Sequence, residues 1–144
     1  MRKLMLIVLF TMACHSAVAG WVEVGRSRNA GGGITTYADP TTVQGESRVK
    51  MWDLFDFQTI QATEIGSSGV KRYLSGKRLQ EYDCVAKQSR MLEIALFPEN
   101  MGNGAPVYYD VPQQSDWVPI AAGSMGHTLW NAAYLTLPNQ STRQ

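Results

Sequence analysis

The sequence predicts an α+β domain in which an antiparallel sheet is closed by one C-terminal helix. Three observations carry that reading. Residues alternate at a period of two through most of the chain, short glycine-rich or polar links join the alternating runs, and only the last segment before Pro138 changes to helical spacing.

The first nineteen residues precede the domain. Met1-Arg2-Lys3 is followed by an apolar run from Leu4 to Met12, then by Ala17-Val18-Ala19 before Gly20. A basic start, a short apolar middle and a small-x-small site are the parts of an export signal. The run is shorter than the roughly 20 apolar residues a spanning helix needs, and no later segment supplies one. The expectation is a cleaved leader (1–19), a domain (20–138) and a loose tail (139–144) in an exported protein, placed in the periplasm or on the outer cell surface. Cys14 leaves a second reading open, lipid attachment, although such leaders usually carry Leu where Thr11 stands.

Export changes the chemistry that remains. The chain has 13 basic and 12 acidic residues; Arg2 and Lys3 leave with the leader and no acid does, so the domain is nearly neutral. That balance gives no electrostatic footprint for nucleic acid. Cys14 and His15 leave as well, so Cys84 and His127 are the one thiol and the one imidazole of the domain. A structural zinc site takes four ligands and a catalytic one three, which these residue types cannot supply. The expectation is no metal, no cofactor and no enzyme activity.

The strands follow in order. "GWVEVGRS" is a short edge run with Trp21 and Val24, and "AGGGITTYADP" is a glycine-rich turn leading into Ile34 to Asp39. In "SRVKMWDLFDF", Val49, Met51, Phe55 and Phe57 share one parity and Trp52 and Leu54 the other, the pattern of a central strand covered on both faces. "QTIQATEIGSSG" reads as a polar connection with a turn at Gly66 to Gly69. "VKRYLSGKRLQEYDC" and "QSRMLEIALF" are two long strands joined by a hairpin near Val85 to Lys87, and "PVYYDVP" is a brief last strand confined by its prolines. After Trp117, Ser124 is an N-cap, and Met125, Leu129, Ala133 with Trp130 and Tyr134 lie at helical spacing.

No catalytic constellation stands out. Asp53 and Asp56 are three apart on a strand and so face opposite ways, and "MGNG" (101–104) lacks the lysine and spacing of a phosphate loop. Lys71, Arg72, Lys77 and Arg78 are the candidate binding patch, for an anionic or protein partner, although they divide between the two parities. Trp52, Tyr82 and Trp130 are the candidate lining of a small-ligand pocket between helix and sheet. Cys84 reads as a small buried hydrophobe, or else as a thiol that pairs between molecules.

Several stretches together resemble the surface adhesin protein E family of exported bacterial proteins. They are Trp21, "TTYADP", "VKMWDLFDF", "YLSGKRLQEYDC", the arginine of "QSRML", "MGNG", "DWVPI" and "GSMGHTLW", in order from Trp21 to about Tyr134. The resemblance implies a curved antiparallel sheet of about six strands with the C-terminal helix on its concave face, and a non-enzymatic adhesin that contacts host or matrix proteins. It also implies pairing as a homodimer. A periplasmic protein without host contact is the alternative. In the family the helix is tied to the "YDC" strand by a disulfide whose second cysteine falls four residues after the helix tryptophan. Here that position is Tyr134, so no disulfide is expected, Cys84 is left unpaired, and Tyr82, Cys84, Trp130 and Tyr134 are expected to form an apolar helix-on-sheet contact in its place.

Overall fold

The structure, a computed structural model, describes residues 20–29 and 31–136. The leader, Cys14 and the tail from 139 lie outside these residues. Among these residues seven strands and one α-helix follow in order: β1 Val22–Asn29, β2 Gly32–Gly45, β3 Arg48–Glu64, β4 Val70–Asp83, β5 Gln88–Phe97, β6 Tyr108–Asp110, β7 Val118–Pro119 and α1 Met125–Leu135, with short 3-10 turns at Gly66–Ser68 and Asn100–Gly102. The first six form one antiparallel sheet in sequence order, and the two-residue β7 pairs with β5 beside β6. Along the path from β1 to β6 every neighbour in the sheet is a neighbour in the chain, so hairpins and short links suffice; only β7 returns to a strand that is not next to it in sequence. The result is a curved half-barrel. The register shifts between Glu23 and Gly25, Asp39 and Gln44, Asp56 and Gln61, and Leu79 and Gln80 favour that curvature, since a bulge bends a strand and increases its twist.

The polar stretch after Phe57 is not a loose connection. β3 runs on to Glu64 and pairs with Val70–Tyr73, so β3 and β4 project together as an arm. Thr59, Ile60 and Thr63 are β-branched and suit a strand without a hydrophobic face to bury. The arm turns at Gly66 and Gly69, both with positive φ, where a side chain would be strained.

Two clusters hold the sheet. On the concave side Ala38, Val49, Met51 and Tyr82 pack with Leu129, Trp130 and Ala133 of α1, and Cys84, Met125 and Tyr134 border them. Each large side chain so buried contributes roughly 1.5–3 kcal/mol. The helix starts where expected: the Ser124 hydroxyl accepts the His127 amide at 3.1 Å. On the convex side Leu54 and Ser75 are fully buried, and a 3-10 turn, Asn100–Gly102, packs against β3 and β4 there. The "MGNG" loop is pinned beside them. Asn100 Nδ2 and the Met101 amide both donate to Asp56 Oδ1 at 2.9 Å, and Ser75 Oγ donates to the Glu99 carbonyl while accepting the Gly102 amide. Met101 and Gly102 adopt positive φ to make that turn.

The segment before the helix is clasped by charge. The guanidinium groups of Arg48 and Arg90 both lie over the Trp117 ring, at 5.2 and 4.6 Å from its centroid. Arg90 also bonds Glu81, and Arg48 lies 3.5 Å from Asp83.

Candidate functional site

The helix covers only part of the concave face. Val49 and Met51 lie beneath it, and Asp53, Phe55 and Phe57 continue the same face of β3 beyond it. Phe55 stands opposite Gly76 of β4, and its ring occupies the space a Cβ there would need. Phe57 meets Phe55 edge to face at 5.7 Å and Tyr73 at 5.8 Å. Phe55 and Phe57 are half-buried and form an aromatic strip beyond the residues that pack against the helix; Tyr73, also half-buried and of the parity of Ser75 and Lys77 on β4, meets the end of the strip where β3 loses register after Asp56.

A buried ion pair anchors one end of the strip. Arg78 donates from Nε and from its second nitrogen to Asp53 Oδ1, both at 2.9 Å, and its guanidinium lies 5.0 Å from the Phe55 ring. The Asp53 side chain is wholly buried, while 29% of the Arg78 side chain remains exposed. Burial pushes the Asp53 carboxyl above its ordinary range, opposed by the Arg78 charge and by hydrogen bonds from Arg78 and Gln80. Tyr82 is also pushed up, first by burial and then by the Asp53 charge. Neither Asp53 Oδ2 nor the Tyr82 hydroxyl has a protein hydrogen-bond partner.

The candidate patch residues divide. Lys71 and Arg72 lie on the projecting arm, with Arg72 exposed. Lys77 turns to the convex side, where it reaches the Gly102 carbonyl and the Phe97 ring. Arg78 is held by Asp53 on the concave side, so the four cations do not share one surface. The pocket expected from Trp52, Tyr82 and Trp130 needs a correction as well. Tyr82 and Trp130 meet in the core, but Trp52 has the parity of Leu54 and lies on the opposite face of β3. The three surface cavities beside Arg26 and Gln58, beside Thr41 and Trp52, and beside Arg90 and Pro112 are lined by neither Tyr82 nor Trp130.

Asp53 and Asp56 do face opposite ways, as their spacing requires. Cys84 is free and half-buried; burial and then the neighbouring Asp83 raise its thiol, the opposite of what a reactive thiolate needs. Trp130 stacks between His127 and Tyr134 at 5.7 and 5.1 Å. The role of Phe55, Phe57 and Asp53 was not read from the sequence. The available signal was an acid in the middle of an apolar strand, on the face of Met51 and Phe55. Among the described residues no group of three or more His, Cys, Asp or Glu could hold a metal, and no helix is long and apolar enough to cross a membrane.

A curved antiparallel half-barrel with one helix docked on its concave face defines an α+β protein of one sheet and one helix among the described residues. The chain belongs to the surface-adhesin protein E family, whose model matches residues 21–133. Solved structures with the same fold include protein E of Haemophilus influenzae in a second crystal form, 13% identical, with TM-score 0.53 over 86% of this chain and 91% of that one. Protein E from non-typeable Haemophilus influenzae is 12% identical, with TM-score 0.52 over 84% of this chain and 77% of that one. Among curated proteins no sequence match was found.

Proposed function

We propose that this chain is an exported, non-enzymatic binding module of the bacterial cell envelope that contacts a protein partner, on a host surface or matrix, through the open part of its sheet. The observation that carries this reading is the aromatic strip of Phe55 and Phe57, met by Tyr73 at one end, beyond the residues that pack against the helix and ending at the Arg78–Asp53 pair. Half-buried aromatic rings beside an arginine are the composition that concentrates binding energy at protein interfaces. Lys71 and Arg72 stand on the arm next to Tyr73 and supply charge at the rim. Family membership and the export signal favour the same reading. Pairing of two copies is part of it, favoured by β1 and β6, which end the sheet with no further strand among the described residues.

Surface protease shaving of intact cells tests the location. Cleavage before the outer membrane is opened is expected; protection until it is opened would leave the periplasmic alternative, with no host contact. Partner binding is tested with Phe57→Ser and with the double charge reversal Lys71→Glu, Arg72→Glu. Both are expected to weaken binding to matrix proteins. Arg78 is unsuitable for such a test because its removal strands Asp53.

A further inference from the structure

We propose that the convex face carries a second site, for a carboxylate-bearing sugar unit, between the bulge of β2 and Trp52 of β3. It lies on the opposite side of the sheet from the aromatic strip, so it goes beyond the reading above and stands or falls separately.

The site is built by one irregularity. The register between β2 and β3 is lost between Asp39 and Gln44, which lifts residues 40–43 away from the ladder. Asp39, only 3% exposed, fixes the raised segment: its Oδ1 accepts the Thr41 amide at 3.1 Å and the Thr41 hydroxyl at 2.5 Å. Thr42 Oγ1 donates to the Asp39 carbonyl at 2.7 Å and accepts the Trp52 amide at 3.0 Å. The rim is therefore held before any ligand arrives. Beneath it lies a cavity of about 300 Å³ lined by Thr41, Thr42, Gln44, Lys50, Trp52 and Leu79, at the lower limit of roughly 300–1,000 Å³ for small-ligand clefts.

The lining specifies the ligand. Trp52 and Leu79 are half-buried and supply an apolar wall, and the electron-rich face of an indole favours the weakly positive edges of C–H groups. Gln44 and Lys50 are cross-strand partners and both are exposed. Lys50 makes no ion pair among the described residues, because Glu81, its partner on β4, is bound by Arg90. Asp39 is already occupied by Thr41. One free ammonium group, an amide and hydroxyls around an indole match a ring with one apolar face, several hydroxyls and a single carboxylate. A flat aromatic acid would leave the amide and hydroxyls of the rim without use.

The test is titration of the full chain with glucuronate, glucose and benzoate, followed at the indole N–H resonance of Trp52. Glucuronate is expected to saturate with Kd of about 1 mM, and glucose to bind about tenfold more weakly, the loss of one charge-assisted contact. Lys50→Gln, an exposed change that leaves the fold intact, should remove the difference, whereas Lys71→Gln on the arm should keep it. An oligosaccharide ending in glucuronate distinguishes a chain end from the free acid: tighter binding of the oligosaccharide assigns the site to a glycan terminus, and equal binding assigns it to the sugar acid itself. Equal binding of glucose and glucuronate by the unaltered chain, tighter binding of benzoate, or no shift at Trp52 with any probe would overturn the proposal.

Discussion

Replacing Arg78 by Leu is expected to destabilise the domain by about 3–5 kcal/mol, the cost of leaving a buried charge without its partner. The structure places this case near the full cost. The Asp53 side chain is wholly buried, one of its oxygens receives both Arg78 nitrogens at 2.9 Å, and the other has no protein partner. Urea unfolding should therefore show a midpoint lower by about 2 M. The pH dependence identifies the cause. Burial raises the Asp53 carboxyl above its ordinary value in the folded chain, so this group favours folding at low pH, and its contribution is lost as pH rises through the folded value. Removing Arg78 removes the main opposing influence and raises that value further. The deficit of the variant should thus be largest at neutral pH and close as the pH falls through the raised value, where Asp53 is protonated and no longer needs a cation. The paired change Asp53→Leu with Arg78→Met should recover most of the loss. A deficit below about 1 kcal/mol, or one that does not shrink as the pH is lowered from neutral into the acid range, would refute the reasoning.

Three further outcomes are expected. Tyr134→Cys, oxidised so that the bond to Cys84 forms, should raise the melting temperature: closing that loop contributes about 4 kcal/mol on the chain-entropy model, against about 1.5–3 kcal/mol lost with the tyrosine. The reduced variant should melt below the unaltered chain, and an oxidised variant that fails to gain would show that the two positions do not meet. Ser124→Ala removes the helix N-cap and should cost about 1 kcal/mol, with faster amide exchange in α1 than in β3 and β4. Trp117→Leu removes a ring held by two guanidinium groups and should cost about 1 kcal/mol, together with faster proteolysis between β6 and α1.

Much of the sheet was legible because its strands alternate where one side is buried. Val49 and Met51 pointing to the helix, Trp52 and Leu54 pointing away, and the Ser124 cap all follow from local spacing. The arm was harder. Residues 58–64 are largely polar, and their strand conformation comes from backbone pairing with Val70–Tyr73, which leaves no hydrophobic period to detect. Trp52 was assigned to the helix side by residue type although its own parity placed it opposite, so the period was the better guide. The Asp53–Arg78 pair joins residues 25 apart, and only the β3–β4 register brings them together. The convex cover of "MGNG" was illegible because Asn100, Met101 and Gly102 act through backbone and amide bonds to Asp56 and Ser75, which leave no pattern in the chain.

The turn between β4 and β5 does more than reverse the chain. The Ile120 amide donates to the Lys87 carbonyl at 2.9 Å, Val118 and Pro119 pair with the first residues of β5, and the Lys87 ammonium lies 5.7 Å from the Trp130 ring. The segment that leads into the last helix is thus tied to one reverse bend some forty residues upstream. A lengthening of that bend would therefore have to be absorbed by the approach to the helix, because the core contacts of Leu129, Trp130 and Ala133 fix the helix itself.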